Sequence, residues 1–511
     1  MDDWTQGYVA DIGYTSGYYR ELNPLRIPLL LLCAGVAPPE IDAACELGFG
    51  QGLSLNIHAA ASETQWYGTD FNPAQAAYAQ SLGVTSGSDA RLFDDSFAEF
   101  CARTDLPDFA YIGLHGIWSW ISDDNRRIIV DFVRRKLKVA GILYISYNTQ
   151  PGWAAMMPMR RLLAEHISSM SARGGGWPSR IDAALDFAAN LMAVDPIFAR
   201  VNPIVGERIK GLRDQDRRYL AHEYFNRDWL PISFSEMSEW LSSAKLTYVC
   251  SASYLDNIDS LNLTPAQQGV LMNISDPTFR ESVRDFMVNQ QFRRDYWIKG
   301  ARRLSTFAQT EALRQQKVVL TKSRTAITPD VVGVLGSATI SDAVYGPILD
   351  AVSDQRPKTL GEIEQRVRGA EINVAQLREA VLILTGKDDL APARDDDIQD
   401  RVNSKTDNLN HFMLDQARGN TEANFLASPV TGGGVPVPRF HQLFLLARRQ
   451  GCRTPEEWAR AAWQILQASG GVLVKDGKPL QTLEENLAEL GIQARDFAEK
   501  QLPTLEALRI A

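Results

Sequence analysis

The amino-acid sequence predicts an α/β protein built on a doubly wound parallel sheet, and three features lead to this class. Over residues 1–150, short apolar runs alternate with helix-like stretches, which is typical of a parallel sheet covered by helices on both faces. The first apolar run, residues 41–45, precedes a glycine-rich segment at 46–52 (ELGFGQG). The second run, residues 66–69, ends at Asp70. Ligands of such sheets bind beyond the carboxyl ends of the strands, so these residues should share a ligand-binding edge.

The glycine-rich segment has the pattern of a nucleotide-cofactor loop. Its alternate glycines, Gly48, Gly50 and Gly52, allow a sharp turn and a close approach of a ligand to backbone N–H groups. A dinucleotide fingerprint has glycine or alanine at its sixth position, where this chain has the larger Leu53. With Asp70, which can bind both hydroxyls of a ribose, the spacing resembles the S-adenosylmethionine site of class I methyltransferases. In that family the glycine loop passes the methionine moiety and the second-strand acid holds the ribose.

The later strands of the predicted sheet also end in polar or aromatic residues. A third strand, residues 90–93, precedes Asp95 and Ser96, at the place where class I methyltransferases recognise adenine. The remaining predicted elements are a fourth strand ending at His115, a helix capped by Ser122 and a fifth strand ending at Tyr147, at residues 107–114, 123–137 and 141–147.

The composition is that of an ordinary soluble protein. The chain has 511 residues, enough for about three domains, with 45% hydrophobic and 23% charged residues. A net charge of −9 gives no general attraction to nucleic acid or acidic membranes, so we predict no nucleic-acid partner. The five cysteines form no CxxC pair, which indicates reduced thiols of a cytoplasmic protein and no structural metal. The apolar run at 27–37 is too short to span a membrane.

The order of elements predicts that a helical insertion interrupts the sheet. Residues 151–230 have helix-like patterns, and residues 233–253 then read as a helix and a strand able to complete the sheet. The insertion would cap the carboxyl edge, exclude water and shape the substrate entrance. The predicted organisation is a lead-in and cofactor-binding domain at 1–150, the helical cap at 151–230, completion of the sheet at 231–260, a helical regulatory or middle domain at 261–330, a winged-helix-like domain at 331–430 and a helical or winged-helix-like unit at 431–511.

The C-terminal half carries weaker signals. Residues 275–325 are charged and read as helical, and three helices predicted between residues 340 and 395 resemble a winged-helix layout. Residues 341–400 hold thirteen acids and seven bases, a balance of −6 that argues against phosphate contacts and favours a structural or protein-binding role. Residues 431–438 (TGGGVPVP) predict an exposed linker.

Several segments, taken in order, resemble one bacterial family. They are GYTSGYYRELNPLR at 13–26, ELGFGQG at 46–52, GTDFNP at 68–73, HGIWSW at 115–120, YLAHEYFN at 219–226 and NFLASPVTGGG at 424–434. These segments resemble the methyltransferases that carry a methyltransferase regulatory domain, a family that includes rickettsial lysine methyltransferases acting on outer-membrane proteins. The resemblance implies S-adenosyl-L-methionine as cofactor, a Rossmann-like methyltransferase sheet, a helical middle domain and winged-helix material in the C-terminal half.

The resemblance also implies the cofactor-binding residues. Carried over by motif, they are Glu46, Gly48, Gly50, Gly52, Asp70, Asp95 and Ser96, with His115 adjoining. Four aromatic residues complete the predicted set, two from the same motifs and two from the tyrosine-rich lead-in that could close over the cofactor: Phe49, Phe71, Tyr14 and Tyr18.

Methyl transfer sets the demands on the catalytic residues. It is an in-line displacement, for which an enzyme supplies proximity, alignment and a lone pair on the acceptor. A lysine amine has a pKa of about 10.4, so the site must desolvate the amine or take its proton. His115 is a candidate base, although its ring could instead pack on adenine or bond to the backbone. Trp118, like Trp120, could line an acceptor channel or pack in the core, and Tyr147 completes the predicted catalytic set.

The sequence thus predicts a cytoplasmic S-adenosylmethionine-dependent methyltransferase that modifies lysine side chains of a protein substrate. An O-methyltransferase for a sugar or small metabolite is one alternative, and a cofactor-binding regulatory protein without catalysis is another. The cap and the long C-terminal half favour a macromolecular substrate. The oligomeric state stays open, with a dimer among the alternatives.

Overall fold

The computed structural model describes residues 8–9, 12, 17–170, 176–419 and 424–511, and its centre is a seven-stranded sheet. The strands are β1 (Ala43–Leu47), β2 (Gln65–Thr69), β3 (Arg91–Phe93), β4 (Phe109–Leu114), β5 (Leu137–Asn148), β6 (Leu246–Ser251) and β7 (Phe292–Lys299). Their order across the sheet is β3-β2-β1-β4-β5-β7-β6. Strand β7 is antiparallel to both of its neighbours, and the other pairs are parallel. The doubly wound α/β fold predicted from the sequence is confirmed.

The first half of the sheet is built from strand–helix units whose helices begin at capping residues. These helices are α1 (Ile27–Cys33), α2 (Leu53–Ala60), α3 (Pro73–Ser86), α4 (Phe97–Ala102) and α5 (Asp123–Lys136). The hydroxyls of Ser96 and Ser122 accept hydrogen bonds from N–H groups in the first turns of α4 and α5. Helix α2 follows the glycine loop directly and all of its residues are buried, so core packing fixes the position of that loop.

Strand β7 corrects the sequence-based assignment of this region. The sequence predicts a helical segment at 275–325, within a helical domain at 261–330, but residues Phe292–Lys299 form a strand between β5 and β6. Arg293 and Asp295 on this strand are both buried, and Arg293 Nε donates to Asp295 Oδ2 at 2.9 Å. Charges that neutralise each other inside the protein interrupt the apolar run by which a buried strand is recognised. The sheet therefore extends beyond the predicted 231–260 to Lys299.

Six helices that follow β5 have a hydrophobic core of their own. They are α6 (Gln150–Trp153), α7 (Met157–Met170), α8 (Trp177–Ala193), α9 (Ile197–Val201), α10 (Pro203–Leu212) and α11 (Arg217–Tyr224), and α12 (Phe234–Ser242) returns to the sheet. Trp153, Leu163 and Ile181 are among the buried residues of this core. A parallel bridge between Thr149 and Ile232 joins the two ends of the segment beside the end of β5.

A smaller unit follows the edge of the main sheet. Helices α13 (Asp259–Asn262), α14 (Pro265–Met272) and α15 (Pro277–Val288) precede β7, and α16 (Thr306–Arg314) follows it. The unit itself contains β8 (Lys317–Leu320), β9 (Asp330–Gly333), β10 (Gly336–Thr339), α17 (Asp342–Ala351), β11 (Lys358–Thr359), α18 (Leu360–Arg366), α19 (Val374–Gly386) and β12 (Leu390–Pro392). A three-stranded sheet of order β11-β8-β12 packed with α17, α18 and α19 agrees with the predicted winged-helix layout.

The C-terminal part packs against the cofactor half of the main sheet. It contains α20 (Asp396–Gln416), β13 (Phe425–Ser428), β14 (Gly433–Pro436), α21 (Arg439–Arg449), α22 (Pro455–Ala468), β15 (Val474–Lys475), β16 (Lys478–Pro479), α23 (Leu483–Asp496) and α24 (Leu502–Ala507). The predicted exposed linker at 431–438 is wrong, because β14 pairs with β13 and Val435 lies in one core with Leu53 of α2. A run of glycines suggests a flexible linker. Here, however, the absence of a side chain at Gly434 lets the Tyr18 ring lie against the backbone.

Three further observations on the described part of the chain concern membrane-spanning helices, metal sites and cysteines. None of the described helices has both the length and the apolar character that crossing a membrane requires. Within the same ranges, no group of three or more His, Cys, Asp or Glu side chains is arranged to hold a metal ion. The five cysteines are free thiols, three of them buried.

Candidate active site

A cavity of about 520 Å³ lies at the carboxyl edge of the main sheet. We call it the main cavity. Its walls come from the glycine loop, the residues that follow β2, β3 and β4, the end of β5, the N-terminal segment and residues 151–230, which we call the cap. Most of these residues lie at or shortly after the carboxyl ends of strands, which is where ligands of such sheets bind.

At two glycines of the loop, Gly48 and Gly52, the surroundings leave no room for a side chain. Gly48 and Gly52 have φ angles of +73° and +70°, and a Cβ at Gly48 would lie 2.4 Å from Cδ1 of Ile117. Gly50 has a φ of +59°, and a Cβ there would meet no atom within 4 Å. Since Gly50 lines the main cavity, that open space is available to a ligand that approaches the backbone closely.

Asp70 connects the tip of β2 to the glycine loop. Its Oδ2 accepts a hydrogen bond from the Gly50 N–H at 2.8 Å, and its Oδ1 accepts one from the Asn72 N–H at 3.0 Å. Burial raises the pKa of Asp70 to about 6, against the opposing effect of these two N–H groups. Each carboxylate oxygen has a second lone pair, so the group can still accept hydrogen bonds from two hydroxyls of a ligand.

Glu46, at the end of β1, is a buried acid that lines the same cavity. Its Oε2 has no hydrogen-bond partner among the described residues. Burial, and then the charge of Asp70, raises the pKa of Glu46 to about 8. A buried polar atom without a partner is costly, so a hydrogen-bond donor or a cation from a ligand would be stabilised at this oxygen.

The predicted adenine-recognition residues follow β3. Asp95 and Ser96 both line the main cavity, as do Phe49 and Phe71. The Asp95 carboxylate is paired with Arg103 at 3.1 Å, which holds it in position. The N–H and hydroxyl of Ser96 both donate to its helix-capping partner rather than into the cavity. Of Asp95 and Ser96, it is therefore Asp95 that keeps more unused hydrogen-bonding capacity for a ligand.

His115 lies at the end of β4 with its ring between aromatic neighbours. The ring stacks on Tyr19 at a centroid distance of 3.9 Å, and its Nδ1 is 2.7 Å from the Tyr144 hydroxyl. Burial lowers the pKa of His115 to about 4, so the ring is neutral at pH 7. The Ser146 hydroxyl bonds to Tyr144 and itself accepts the Gly116 N–H at 2.8 Å. Tyr144 therefore joins His115 to Ser146 in one buried polar network beside the main cavity.

Two residues of the predicted catalytic set lie outside the cavity, and both assignments are wrong. Trp118 is fully buried beneath the sheet, with its ring edge-to-face against Trp240 at 5.6 Å. The Tyr147 hydroxyl donates to Asp295 Oδ2 at 2.9 Å inside the buried cluster of β7. Strand β5 alternates its side chains between two faces, so a position at a strand end does not ensure that the side chain points to the ligand.

The lead-in tyrosines also differ from the prediction. Tyr18 points away from the cavity, where its hydroxyl lies 3.1 Å from His58 Nε2 and its ring packs on Phe425. Its neighbour Tyr19 lines the cavity instead, because successive side chains of an extended segment point in opposite directions. Tyr14 lies outside the described residues.

Two more aromatic residues line the cavity: Tyr8, which was not among the predicted site residues, and Trp120, which was considered together with Trp118. Tyr8 lies edge-to-face against Phe71 at 5.6 Å, and the Val9 N–H donates to Asn226 Oδ1 at 2.9 Å, so the cap holds the N-terminal segment across the cavity. Trp120, two residues after the predicted Trp118, faces the cavity because a 3₁₀ turn turns the two rings to different sides. In the sequence, the only sign that Trp120 could belong to the site was its place beside Trp118 in the segment HGIWSW.

The cap contributes both charges and rings to the cavity. Tyr219, Glu223, Asp228 and Arg208 line it, and the Arg208 guanidinium lies over the Trp153 ring at 4.0 Å. The charge of Glu223 is among the causes that raise the pKa of both Tyr8 and Tyr219, after burial in each case, which places this carboxylate near both rings. Five carboxylates line the cavity against two guanidinium groups: Glu46, Asp70, Asp95, Glu223 and Asp228 against Arg208 and Arg294.

The sheet order, the glycine loop and the acid at the tip of β2 together define a protein of the class I S-adenosylmethionine-dependent methyltransferase fold. Comparisons with known proteins agree with this class. A family model described as a predicted methyltransferase regulatory domain matches residues 216–299. The protein sll1526 of Synechocystis sp. is 38% identical over 99% of this chain and 100% of its own length. The chain therefore belongs to the family of methyltransferases that carry a methyltransferase regulatory domain.

Two more distant relatives match this chain, one in sequence and one in fold. RP789 of Rickettsia prowazekii is 27% identical over 56% of this chain and 53% of its own length. The solved structure of PKMT2 from Rickettsia typhi, in complex with AdoHcy, is similar with a TM-score of 0.68. That likeness covers 97% of this chain and 99% of PKMT2 at 17% identity, which establishes a common fold.

Proposed function

We propose that this protein is a cytoplasmic enzyme that transfers methyl groups from S-adenosyl-L-methionine to lysine side chains of a protein substrate. The observation that carries the proposal is the pairing of Asp70 with the glycine loop beside an unpartnered Glu46 oxygen. The AdoHcy bound to PKMT2, a protein of the same fold, supports the choice of cofactor. The five scattered free thiols support a reducing compartment.

The residues present fit the cofactor at three points. Asp70 would accept hydrogen bonds from the ribose hydroxyls, and the bare backbone at Gly50 would face the methionine moiety. The unpartnered Oε2 of Glu46 would receive the ammonium group, which would favour the ionised carboxylate. Phe71 and Asp95 would hold the adenine by ring contact and by hydrogen bonding. The bound cofactor would supply an electrophilic methyl group on a sulfonium.

The acceptor side of the cavity suits a cationic amine. Trp120, Tyr19 and Tyr219 present aromatic faces, which attract an ammonium group and remove its water. Desolvation lowers the pKa of the amine and so favours the neutral form that carries a lone pair. The excess of carboxylates over guanidinium groups draws a cation towards the cavity.

His115 acts in this proposal as a positioning residue. With its pKa lowered to about 4, the ring is neutral and too weak a base to take the proton of an ammonium group. We assign loss of the amine proton to desolvation and to Glu223, the cap carboxylate beside Tyr8 and Tyr219. The Tyr8 and Trp153 rings would exclude water from the reacting groups.

A labelled-methyl experiment separates the proposed function from its alternatives. The purified full chain would be mixed with methyl-labelled S-adenosylmethionine and a bacterial lysate, with an Asp70→Ala variant as the control. We expect label in protein bands and, after acid hydrolysis, in N-methylated lysine. Label confined to small molecules would establish the O-methyltransferase alternative. Binding of the cofactor without any transfer would establish the regulatory protein without catalysis.

A further inference from the structure

A second cavity of about 550 Å³ lies on the other side of β7 from the main cavity. It is formed where α1, β6, α15 and α19 meet, elements far apart in the sequence. Leu30, Leu271 and Leu382 provide part of its wall, so the second cavity has apolar as well as charged surfaces. Helix α15 belongs to the segment matched by the regulatory-domain model.

Most charges of the second cavity are paired. Arg284 pairs with Asp259 at 2.5 Å and also donates to a backbone carbonyl. Arg293 is buried and donates to three carboxylates, on Glu281, Asp285 and Asp295. These pairs neutralise the interior of the cavity, and the cations there are not available to a ligand.

Two other arginines that line the second cavity have side chains that are not paired within the described structure. Arg280 of α15 and Arg378 of α19 are exposed, and neither side chain makes an ion pair or a hydrogen bond with any of the described residues. A third group also lacks a contact: Oδ2 of Asp285 is buried without a hydrogen-bond partner in the described part of the chain. Unpaired cations beside apolar walls are what an anion with an apolar body would complete, whereas the Asp285 oxygen can accept a hydrogen bond only from a donor group.

We propose that the second cavity binds a small organic anion, a carboxylate or a phosphate ester with an apolar body, through Arg280 and Arg378. The guanidinium groups would hold the anionic head by charge-assisted hydrogen bonds. The leucine side chains would cover the apolar body. The winged-helix-like unit contributes Arg378, so the ligand would join this unit to the main sheet domain.

Arg294 provides a physical link between the two cavities, since it lines both. Its Nε is buried without a hydrogen bond in the described structure and lies 3.7 Å from Glu21 Oε1. Glu21 and Arg294 are both among the charges that act on His115. An anion in the second cavity would compete with Glu21 for Arg294 and thereby alter the wall of the main cavity. This coupling, unlike the anion site, rests on the proposed function.

Calorimetry on the full chain tests the anion site. The probes are hexyl phosphate and hexanoate, with hexan-1-ol and inorganic phosphate as the neutral and tail-free counterparts. We expect at least one tailed anion to bind more tightly than both counterparts, and the Arg280→Ala/Arg378→Ala variant to bind it at least about tenfold more weakly. Arg460→Ala, an exposed change on α22, is the matched control. Equal binding by hexan-1-ol, no binding of either tailed anion, or undiminished binding by the double variant would overturn the proposal.

Two additional measurements keep the outcomes distinct. If the double variant has a lower unfolding temperature than the control, the single variants Arg280→Gln and Arg378→Gln replace it. The affinity for S-adenosylhomocysteine is then measured with and without a saturating tailed anion. A changed affinity that the Arg294→Gln variant loses supports the coupling, and an unchanged affinity overturns it. If S-adenosylhomocysteine does not bind under either condition, the proposed function fails while the anion site stands.

Discussion

The carboxylate of Asp70 accepts the backbone N–H of Gly50 at 2.8 Å, and this bond joins the tip of β2 to the loop that follows β1. Two residues twenty positions apart thereby act as one unit. The carboxylate positions the bare backbone of the loop, and the loop in turn orients the carboxylate. The predictions below examine this unit and the residues around it.

The open space at Gly50 predicts a functional effect without a steric clash. Gly50→Ala and Gly87→Ala both place a side chain at positive φ, at +59° and +68°, and neither Cβ would meet an atom within 4 Å. Each should lose about 1–2 kcal/mol of stability from backbone strain. Only Gly50→Ala should weaken binding of S-adenosylhomocysteine in calorimetry, because only its methyl group enters the main cavity. Equal affinities of the two variants would show that the ligand does not bind against Gly50.

Glu46 predicts a pH dependence of stability. Because burial raises its pKa from 4.5 to about 8, the folded protein holds a proton that the unfolded chain releases. Its contribution is full below pH 4.5 and is lost as the pH rises through about 8, by at most about 1.4 kcal/mol per pH unit. The Glu46→Gln variant should lack the part of the decrease in unfolding free energy that the ionisation of Glu46 causes. Urea unfolding at pH 6 and pH 9 measures the difference, with Glu239→Gln, a change at an exposed residue of α12, as the control. Parallel curves for Glu46→Gln and the wild type would contradict the assignment.

Tyr147 should affect stability and not binding. Tyr147→Phe removes the hydroxyl that donates to the buried Asp295, which should lower the free energy of unfolding by about 1–3 kcal/mol. The affinity for S-adenosylhomocysteine should be unchanged, because the ring lies outside the main cavity. Denaturant unfolding and calorimetry on the same preparation check both statements. Intact stability combined with lost methyl transfer would restore the catalytic role that the sequence suggested.

Glu223 should act on the acceptor. Glu223→Gln keeps the shape of the side chain and removes its charge, so the KM for a protein acceptor should rise and its dependence on salt should weaken. Glu239→Gln, which removes an exposed charge away from the cavity, should leave both unchanged. Steady-state assays at low and high ionic strength measure the effect. A KM that does not respond to Glu223→Gln would exclude attraction of a cationic acceptor by this residue.

The geometry of the glycine loop and of Asp70 was predictable because it depends on backbone constraints. Only glycine takes positive φ readily, so three alternate glycines at 48–52 predict a turn, and a strand that ends in Asp70 predicts where the acid lies. The helix start at Ser122 was equally predictable, because a capping hydroxyl has a local partner.

The parts that failed depend on the direction of single side chains or on distant partners. Tyr18 and Tyr19 are adjacent in the sequence, and only the fold decides which of them faces the cavity. Strand β7 was hidden because Arg293 and Asp295 look like surface charges until they are seen to pair inside the protein. No local rule predicts either outcome, since both depend on contacts between segments far apart in the chain.

The affinity of the full chain for S-adenosylhomocysteine, compared with that of Asp70→Ala and Asp70→Asn, tests the central claim most directly. The account predicts that the wild type binds and that Asp70→Ala loses about 1.5–3 kcal/mol of binding free energy, at least tenfold in affinity, while its circular dichroism stays native. Asp70→Asn, which keeps the shape but not both acceptor oxygens, should lie between them. Equal affinity of all three proteins, or no binding by the wild type, would contradict the account.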